Sequence, residues 1–255
     1  MTSPKQIQLS HGGGGEETNS LIHDLFYHYF SNDTLLAAED AAVLEFKNKI
    51  AFTTDSFTVS PIFFKGGNIG KLAIAGTVND LAMMGAKPLY LSASFMIEEG
   101  FAFDDLETIV KAMAAELKHS GAKIVCGDTK VVPKGAVDKI FINTSGIGEI
   151  EKEGISANTL QEGDVIIVSG DVGRHGAAIL MEREGLGISG DLKSDFRPDR
   201  NAHLSRQEYP GLGQNVSLIF TRSQLTYPFL DGRAPWRRWG RHRLRVNLVV
   251  RRGNL

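Results

Sequence analysis

The segment GGNIGKLAIAGTVNDLAMMGAKP, residues 66–88, decides how this chain folds. After the Gly-Gly-Asn break, apolar residues recur at helical intervals from Ile69 to Gly85, and a plausible glycine cap precedes Pro88. The pattern predicts a long, strongly apolar helix. Two polar residues inside it, Asn79 and Asp80, need hydrogen-bonding partners if they are buried.

Shorter elements surround this helix on both sides. Upstream, the spacing predicts a short helix over 21–29 and a β-hairpin with arms 42–46 and 49–54. Downstream, it predicts strands over 89–97, 123–126 and 138–148, and an amphipathic helix over 104–119 with a glycine cap.

A second unit begins after residue 150. Residues 165–168 predict a short buried strand, which a glycine turn and a helix from about Arg174 to Arg183 follow. We expect an α+β fold in which a glycine-rich segment and helix (1–38) precede a mixed or antiparallel sheet with helices (39–150). The start of a truncated α/β domain (151–195) and an aberrant tail (196–255) come after them.

Composition indicates a soluble globular chain: 255 residues, 42% hydrophobic and 23% charged. No apolar run is long enough to cross a membrane, and the start lacks the profile of a signal peptide, so the cytoplasm is the expected location. The single cysteine, Cys126, excludes an internal disulfide framework and any multi-cysteine metal site. We interpret it as a buried, inert thiol in a strand.

The charge changes sign near Phe196. Residues 1–195 carry 27 acidic and 16 basic side chains, whereas residues 196–255 carry 3 acidic and 12 basic ones, all arginine. Three explanations compete: a basic arm for nucleic acid or acidic lipid, a small additional domain, or a chain read out of its original frame. The third is favoured, because frame-shifted GC-rich coding sequence is rich in Arg, Pro, Gly and Trp and lacks Lys. We expect no membrane or nucleic-acid partner.

Four aspartates lie at the ends of elements or inside the apolar helix: Asp40, Asp55, Asp80 and Asp128. Any one of them is more simply a turn or cap residue. Together, carboxylates that converge from separate elements suit Mg²⁺, which prefers oxygen ligands and bridges to nucleotide phosphates.

Lysines and glycines supply the complementary groups for phosphate. Lys71 and Lys130 can pair with phosphate as point charges, and Lys130 follows Asp128 on an expected loop. Gly12 to Gly15, after His11, can wrap phosphate through backbone amides or form a disordered linker. His175, in a glycine turn, is interpreted as a positional hydrogen-bonding residue rather than a metal ligand.

Taken in order, the motifs of residues 9–194 resemble the HypE family of hydrogenase expression/formation proteins. TDSF at 54–57 and GDTKVV at 127–132 point to this family, within the superfamily of AIR synthetase, selenophosphate synthetase and thiamine monophosphate kinase. The resemblance implies a PurM-like N-terminal domain that pairs its sheet with a second copy in a homodimer, and a PurM-like second domain. The other matching stretches are 11–15, 40–43, 60–61, 66–72, 76–82, 141–146 and 174–178.

The resemblance also implies an enzyme of [NiFe]-hydrogenase maturation. Its reaction is the ATP-dependent dehydration of a carbamoylated C-terminal cysteine to thiocyanate, the source of the iron cyanide ligands. The implied cofactors are ATP and Mg²⁺, and the implied partners are the carbamoyltransferase HypF and the HypC–HypD iron scaffold.

Site residues follow from the matched positions. Lys130 and Asp80 are the implied catalytic residues, and the implied metal ligands are Asp40, Asp55, Asp80 and Asp128. The implied ATP-binding residues are His11, Gly12, Gly13, Gly14, Asp55, Lys71, Thr77, Asn79 and Asp128.

The chain departs from the family pattern in two places. It ends RRGNL, residues 251–255, where the family has a Pro-Arg-Ile-Cys-like motif, and it lacks an Asp-x-Thr-Arg-Gly-Gly motif. Residues 232–238 can nevertheless be encoded so that a one-base shift reads Asp-Ala-Pro-Arg-Gly-Gly. We therefore expect the chain as written to bind ATP without completing the reaction.

Two other functions remain open from the sequence. One is another ATP-using PurM-like enzyme, such as a selenophosphate synthetase-like protein, although the nucleophilic Cys expected near its N-terminus is missing here. The other is a non-catalytic remnant that binds ATP or dimerises.

Overall fold

The computed structural model describes residues 5–38, 41–154, 173–183 and 190–196. Asp40, the strand predicted over 165–168 and the tail after residue 196 lie outside the described residues. The helices begin with a 3₁₀ turn Leu9–Gly12, α1 Glu16–Leu21, a π-helical turn Ile22–Tyr27, α2 His28–Phe30 and α3 Asp33–Leu36. The strands are β1 Ile50–Phe57, β2 Phe63–Phe64, β3 Gly67–Asn68, β4 Ala86–Glu98, β5 Lys123–Val132 and β6 Ile140–Ile150, and the later helices are α4 Ile69–Met83, α5 Phe103–Ser120 and α6 Arg174–Glu182.

Four strands form one sheet in the order β1-β6-β4-β5. β4 pairs with β5 in parallel and with β6 antiparallel, and β1 pairs antiparallel with β6. This is the mixed sheet with helices that the sequence predicts. β2 and β3 form a separate two-stranded ribbon just before α4.

Helix α4 begins where the sequence break predicts. The Asn68 side chain accepts a hydrogen bond from the Lys71 amide at 3.0 Å, which caps the helix. Nearly all the following turns are buried against the sheet and α5. Gly70 permits the close crossing of the two helices, because a Cβ there would overlap the Ile109 carbonyl oxygen.

Helix α5 and its caps also match the prediction. Asp104 and Asp105 lie in the first turn, basic residues lie in the last turn, and Gly121 ends the helix at φ +79°. Its buried stripe, Leu106, Ile109, Val110 and Met113, joins α4 and the β4 side chains in one hydrophobic core.

The N-terminal segment is part of this core. Ile7 is buried and exchanges backbone hydrogen bonds with residues 100 and 101, which anchors the chain before the first helices. Phe26 then stacks on Phe95 of β4, with ring centroids 4.8 Å apart. The short helices therefore lie beside the β4–β5 side of the sheet.

Two predictions about strands are wrong. Residues 42–46 form no strand, and β1 pairs with β6, about 90 residues away, rather than with a hairpin partner. β5 does not end at Cys126 but continues to Val132, because its later residues pair with β4 through Glu98. Asp128 and Lys130 are therefore strand residues and do not lie on a loop.

The described part of the second unit packs onto the β2–β3 ribbon. α6 confirms the helix predicted from Arg174, and the Ser194 amide donates to the Lys65 carbonyl at 2.8 Å. His175 is buried with Nδ1 2.9 Å from the Ser194 hydroxyl, between the rings of Phe64 and Phe196. The prediction of a positional hydrogen-bonding histidine is confirmed.

The sheet face turned away from α4 carries exposed apolar side chains. Thr53 on β1 points towards α4, so its neighbour Phe52 points the other way and is 66% exposed. Ile50 on the same strand and Met96 on β4 add to this surface, which we call the open face. In the described part of the chain, no helix is long and apolar enough to cross a membrane.

Candidate functional site

A cavity of about 320 Å³ lies between the N-terminal helices and the β4–β5 side of the sheet. Its volume is at the lower end of the range for small-molecule sites. Apolar side chains such as Phe26, Phe30, Ala93 and Phe95 form its body. Its polar lining consists of Gly12, Gly14, Thr18, Thr34, Gly127, Asp128, Thr129 and Lys130.

The glycine loop, residues 10–14, forms one wall of this cavity. Gly12 rests directly on β5, since a Cβ there would overlap the backbone nitrogen of Val131. Gly14 adopts φ +81°, which favours glycine. The loop and the Asp128–Lys130 region line the same cavity, and their assignment to one ATP site stays a prediction.

Two amides of the loop already donate hydrogen bonds to nearby backbone carbonyls. The His11 amide donates to the Gln8 carbonyl at 3.0 Å, and the Gly13 amide donates to the Ser10 carbonyl at 3.2 Å. The Nδ1 of His11 accepts a hydrogen bond from the Gln8 amide, just before the loop. In this conformation the loop walls the cavity rather than wrapping a phosphate with these amides.

Asp128 and Lys130 form an ion pair on β5 at the cavity rim. Their positions two residues apart place both side chains on one side of the strand, with Nζ 2.8 Å from Oδ1. Both side chains are more than half exposed, so the pair contributes little to stability. A charged ligand can therefore exchange partners with them at small cost.

Asp55 and Asp80 lie at the other end of the sheet. Asp80 on α4 accepts a hydrogen bond at 3.2 Å from the Thr53 hydroxyl of β1. Asp55 is two residues further along β1 and therefore faces the same side as Thr53. These two carboxylates are half-buried between β1 and α4.

The predicted carboxylates that the structure describes do not converge within one chain. Asp55 of β1 pairs with Thr144 of β6, which pairs with Ala93 of β4, and Ala93 pairs with Gly127 of β5. Three strand spacings, roughly 14 Å, therefore separate Asp55 from the Asp128 region. Among the described residues, no three His, Cys, Asp or Glu side chains are grouped so as to hold a metal ion. Asp40, the fourth predicted ligand, lies outside the described residues. Asp55 and Asp128 therefore do not share one site within a single chain, and the assignment of the four metal ligands stays a prediction.

The remaining predicted residues lie on α4. Thr77 is fully buried and its hydroxyl meets that of Thr144, so it is not open to a ligand in this conformation. Lys71 is near the start of the helix, with Nζ 3.3 Å from the Gly66 carbonyl and 3.7 Å from Glu116. Burial raises the pKa of Glu116, which opposes the effect of Lys71. Asn79 is half-buried, next to Asp80.

Two residues that line the cavity are not among the site residues predicted from the sequence. Thr18 holds the glycine loop through its hydroxyl, and neither spacing nor composition distinguishes it from other helical threonines. Cys126 lines the cavity although the sequence indicates an inert strand cysteine. Partial burial raises the pKa of its thiol, which favours the protonated form, and the inert thiol stays a prediction.

The family described as AIR synthase related protein, N-terminal domain, matches residues 38–150. The sheet with its two long helices is therefore a domain of the AIR synthase related class. Over a longer stretch, 196 residues, the chain is 50% identical to the carbamoyl dehydratase HypE of Escherichia coli. Over this stretch the chain is similar to HypE proteins, and the matched residues are 74% of this chain but 58% of that relative.

Solved structures agree with this assignment. A hydrogenase maturation protein HypE in complex with ATP superposes with a TM-score of 0.72 at 48% identity, covering 75% of this chain and 57% of that one. The structure of a HypE–HypF complex matches with a TM-score of 0.57 at 53% identity, covering 70% and 58%. The chain thus spans little more than half the length of the relatives that it matches.

Proposed function

We propose that this chain carries the ATP-binding part of a carbamoyl dehydratase. The observation that carries the proposal is the cavity in which the glycine loop, Asp128 and Lys130 meet. Its apolar body suits a purine ring, and its rim offers a cation and polar groups to phosphates. A HypE relative of 48% identity has been solved with ATP, which supports the same ligand here.

The reaction that we propose is dehydration of a cysteine thiocarbamate in hydrogenase maturation. ATP phosphorylates the carboxamide oxygen, a base removes the nitrogen proton, and phosphate leaves to give a thiocyanate. Lys130 stabilises negative charge on the transferring phosphoryl group, which is the main contribution that a protein makes to such a step. Cys126 is not the thiol that carries the carbamoyl group, because β5 holds it in place.

Magnesium fits a pair of carboxylates better than the predicted set of four. Mg²⁺ is commonly held by one or two carboxylates together with nucleotide phosphates, and it neutralises phosphate charge there. Asp55 and Asp80 face the same gap between β1 and α4 and are the pair proposed to hold it. Asp128, at the opposite edge of the sheet, is assigned to the phosphate side with Lys130.

A homodimer through the open face completes the proposal. Phe52, Ile50 and Met96 form an exposed apolar surface, and its contact with water is unfavourable. In addition, β1 and β5 are the edge strands of the sheet. A twofold pairing places the same surface on both copies. It can bring the Asp55 edge of one copy towards the Asp128 edge of the other, and this would join groups that one chain keeps apart.

The partners proposed for the whole protein follow from its relatives. A HypE–HypF complex of 53% identity supports HypF as a carbamoyl donor partner, and the resemblance adds the HypC–HypD scaffold. We place the protein in the cytoplasm with these partners.

Isothermal titration calorimetry of the full chain with ATP, in the presence and absence of Mg²⁺, tests the nucleotide site. We expect saturable binding that Mg²⁺ strengthens. A chain that is folded by circular dichroism and releases no heat with either form of ATP would contradict the proposal.

A further inference from the structure

One buried hydroxyl connects both ends of the glycine loop, and it belongs to Thr18 on α1. Its Oγ1 accepts a hydrogen bond from the Gly14 amide at 2.9 Å and donates one to the Ser10 carbonyl at 3.1 Å. Thr18 is 7% exposed, so water competes poorly for these two bonds. The hydroxyl therefore closes the loop from residue 10 to residue 14.

Different elements hold the two sides of the loop. β5 fixes the Gly12 side, where the backbone of Val131 leaves no room for a Cβ. The Gly14 side has open space around it, since an added Cβ would meet nothing within 4 Å. No neighbouring atom occupies the side-chain position of Gly14, and the hydrogen bond from its amide to Thr18 ties this side of the loop to α1.

We propose that Thr18 is a positioning residue that keeps the glycine loop closed over the cavity, and that this closure sets how long a nucleotide stays bound. The inference rests on the proposed nucleotide site, because Thr18, Gly12 and Gly14 all line that cavity. Because the loop is already ordered before the nucleotide binds, binding does not carry the entropic cost of ordering it. A loosened wall acts mainly on the dissociation rate.

Stopped-flow fluorescence with a mant-labelled ATP and Mg²⁺ measures this rate. Thr18→Val keeps the shape of the side chain but removes both hydrogen bonds, and we expect dissociation to become about tenfold faster. Thr18→Ser keeps the hydroxyl and should restore a rate close to that of the original chain. Ser20→Ala is the matched control, because Ser20 is an exposed α1 residue whose hydroxyl bonds to Asp24 instead.

Hydrogen exchange of the Gly14 amide in the ligand-free chain gives a second readout that does not depend on nucleotide. We expect faster exchange in Thr18→Val and unchanged exchange in Thr18→Ser and Ser20→Ala. Unchanged exchange in Thr18→Val would overturn the loop closure. Faster exchange with an unchanged dissociation rate would overturn its effect on the ligand.

The two proposals fail in different ways. If the original chain binds no nucleotide, the proposed function fails and the claim about residence time fails with it, while exchange still decides the loop closure. If Thr18→Val does not fold, Thr18→Ala replaces it, because alanine also lacks the hydroxyl that bonds to Gly14 and Ser10. A folded Thr18→Ala chain in which Gly14 exchange and nucleotide dissociation are as slow as in the original chain contradicts the role of the hydroxyl.

Discussion

The hydroxyl of Thr77 on α4 lies 2.5 Å from the hydroxyl of Thr144 on β6, and both residues are fully buried. Thr144 also donates to the Ala73 carbonyl one turn earlier, so two turns of α4 are tied to the centre of the sheet. Gly146 permits this approach, because a side chain there would collide with Thr77. The rotation of α4 about its axis is therefore fixed, and with it the direction in which Asp80 reaches β1.

Removing the charge of Asp80 on α4 or of Lys130 on β5 should weaken nucleotide binding. Asp80→Asn loses the carboxylate that Thr53 holds, and Lys130→Ala loses the cation at the cavity rim. We expect each to reduce the binding free energy of Mg-ATP by about 1–3 kcal/mol, the range for a charged hydrogen-bonding partner. Calorimetry measures the change.

Lys118→Ala is the control for Lys130→Ala, because Lys118 is an exposed lysine in the last turn of α5. It should bind Mg-ATP like the original chain. Unchanged affinity in both Asp80→Asn and Lys130→Ala would remove these residues from the site.

Adding one methyl group to the glycine loop should displace it. The Cβ of Gly12→Ala would overlap the Val131 backbone, which cannot retreat without disturbing β5. We expect a loss of about 1–3 kcal/mol in stability, typical of overpacking, together with weaker nucleotide binding. Urea unfolding and calorimetry measure the two effects. Gly15→Ala, with open space around the new Cβ and no positive φ, should leave nucleotide binding unchanged; an equal loss of binding would mean that the contact with β5 is not the cause.

A charge on the open face should prevent self-association. Phe52 is 66% exposed on β1, and burying an aspartate there in a dimer would carry a large desolvation penalty. We expect light scattering at tens of micromolar to give a dimer for the original chain and a monomer for Phe52→Asp. Leu36→Asp changes an exposed leucine on α3, which is not part of the open face, and should remain dimeric. A monomeric original chain would contradict the proposed pairing.

His175 should make stability depend on mildly acidic pH. Burial lowers its pKa from the ordinary value of 6.5, and the nearby Asp195 offsets this in part. The unfolded chain therefore binds a proton at a higher pH than the folded chain does. The stabilisation is complete above about pH 6.5 and is lost as the pH falls through the lower pKa of the folded state.

Thermal unfolding between about pH 5 and 7.5 measures this dependence. His175→Gln cannot take up a proton, so its melting temperature should fall less on acidification than that of the original chain. Parallel curves for the two proteins would assign the acid sensitivity to other groups.

Local signals made the helices predictable. Asn68 caps α4 and Gly121 ends α5, and both act on backbone groups within a few residues of themselves. The periodicity of α5 is likewise a property of one short stretch of chain. Such features depend on residues that are close in sequence, so they can be predicted without knowing the rest of the fold.

Pairing between distant strands was not predictable in this way. β1 has a strand-like pattern, but the pattern does not say that its partner is β6 rather than the preceding segment. For the same reason, the sequence does not predict that Asp55 lies far from Asp128, because the order of the strands sets the distance between them. The resemblance names Thr77 as a binding residue, yet the rotation of α4 turns it into the core.

Cys126 can also report whether a ligand occupies the cavity. It is the single cysteine of the sequence, and it lines the cavity assigned to the nucleotide. Because burial raises its pKa, alkylation by a maleimide should be slow and strongly pH-dependent, and a bound ligand should slow it further. Every modified molecule then carries its label at one known position, so ligand protection can be followed by intact mass without introducing any mutation.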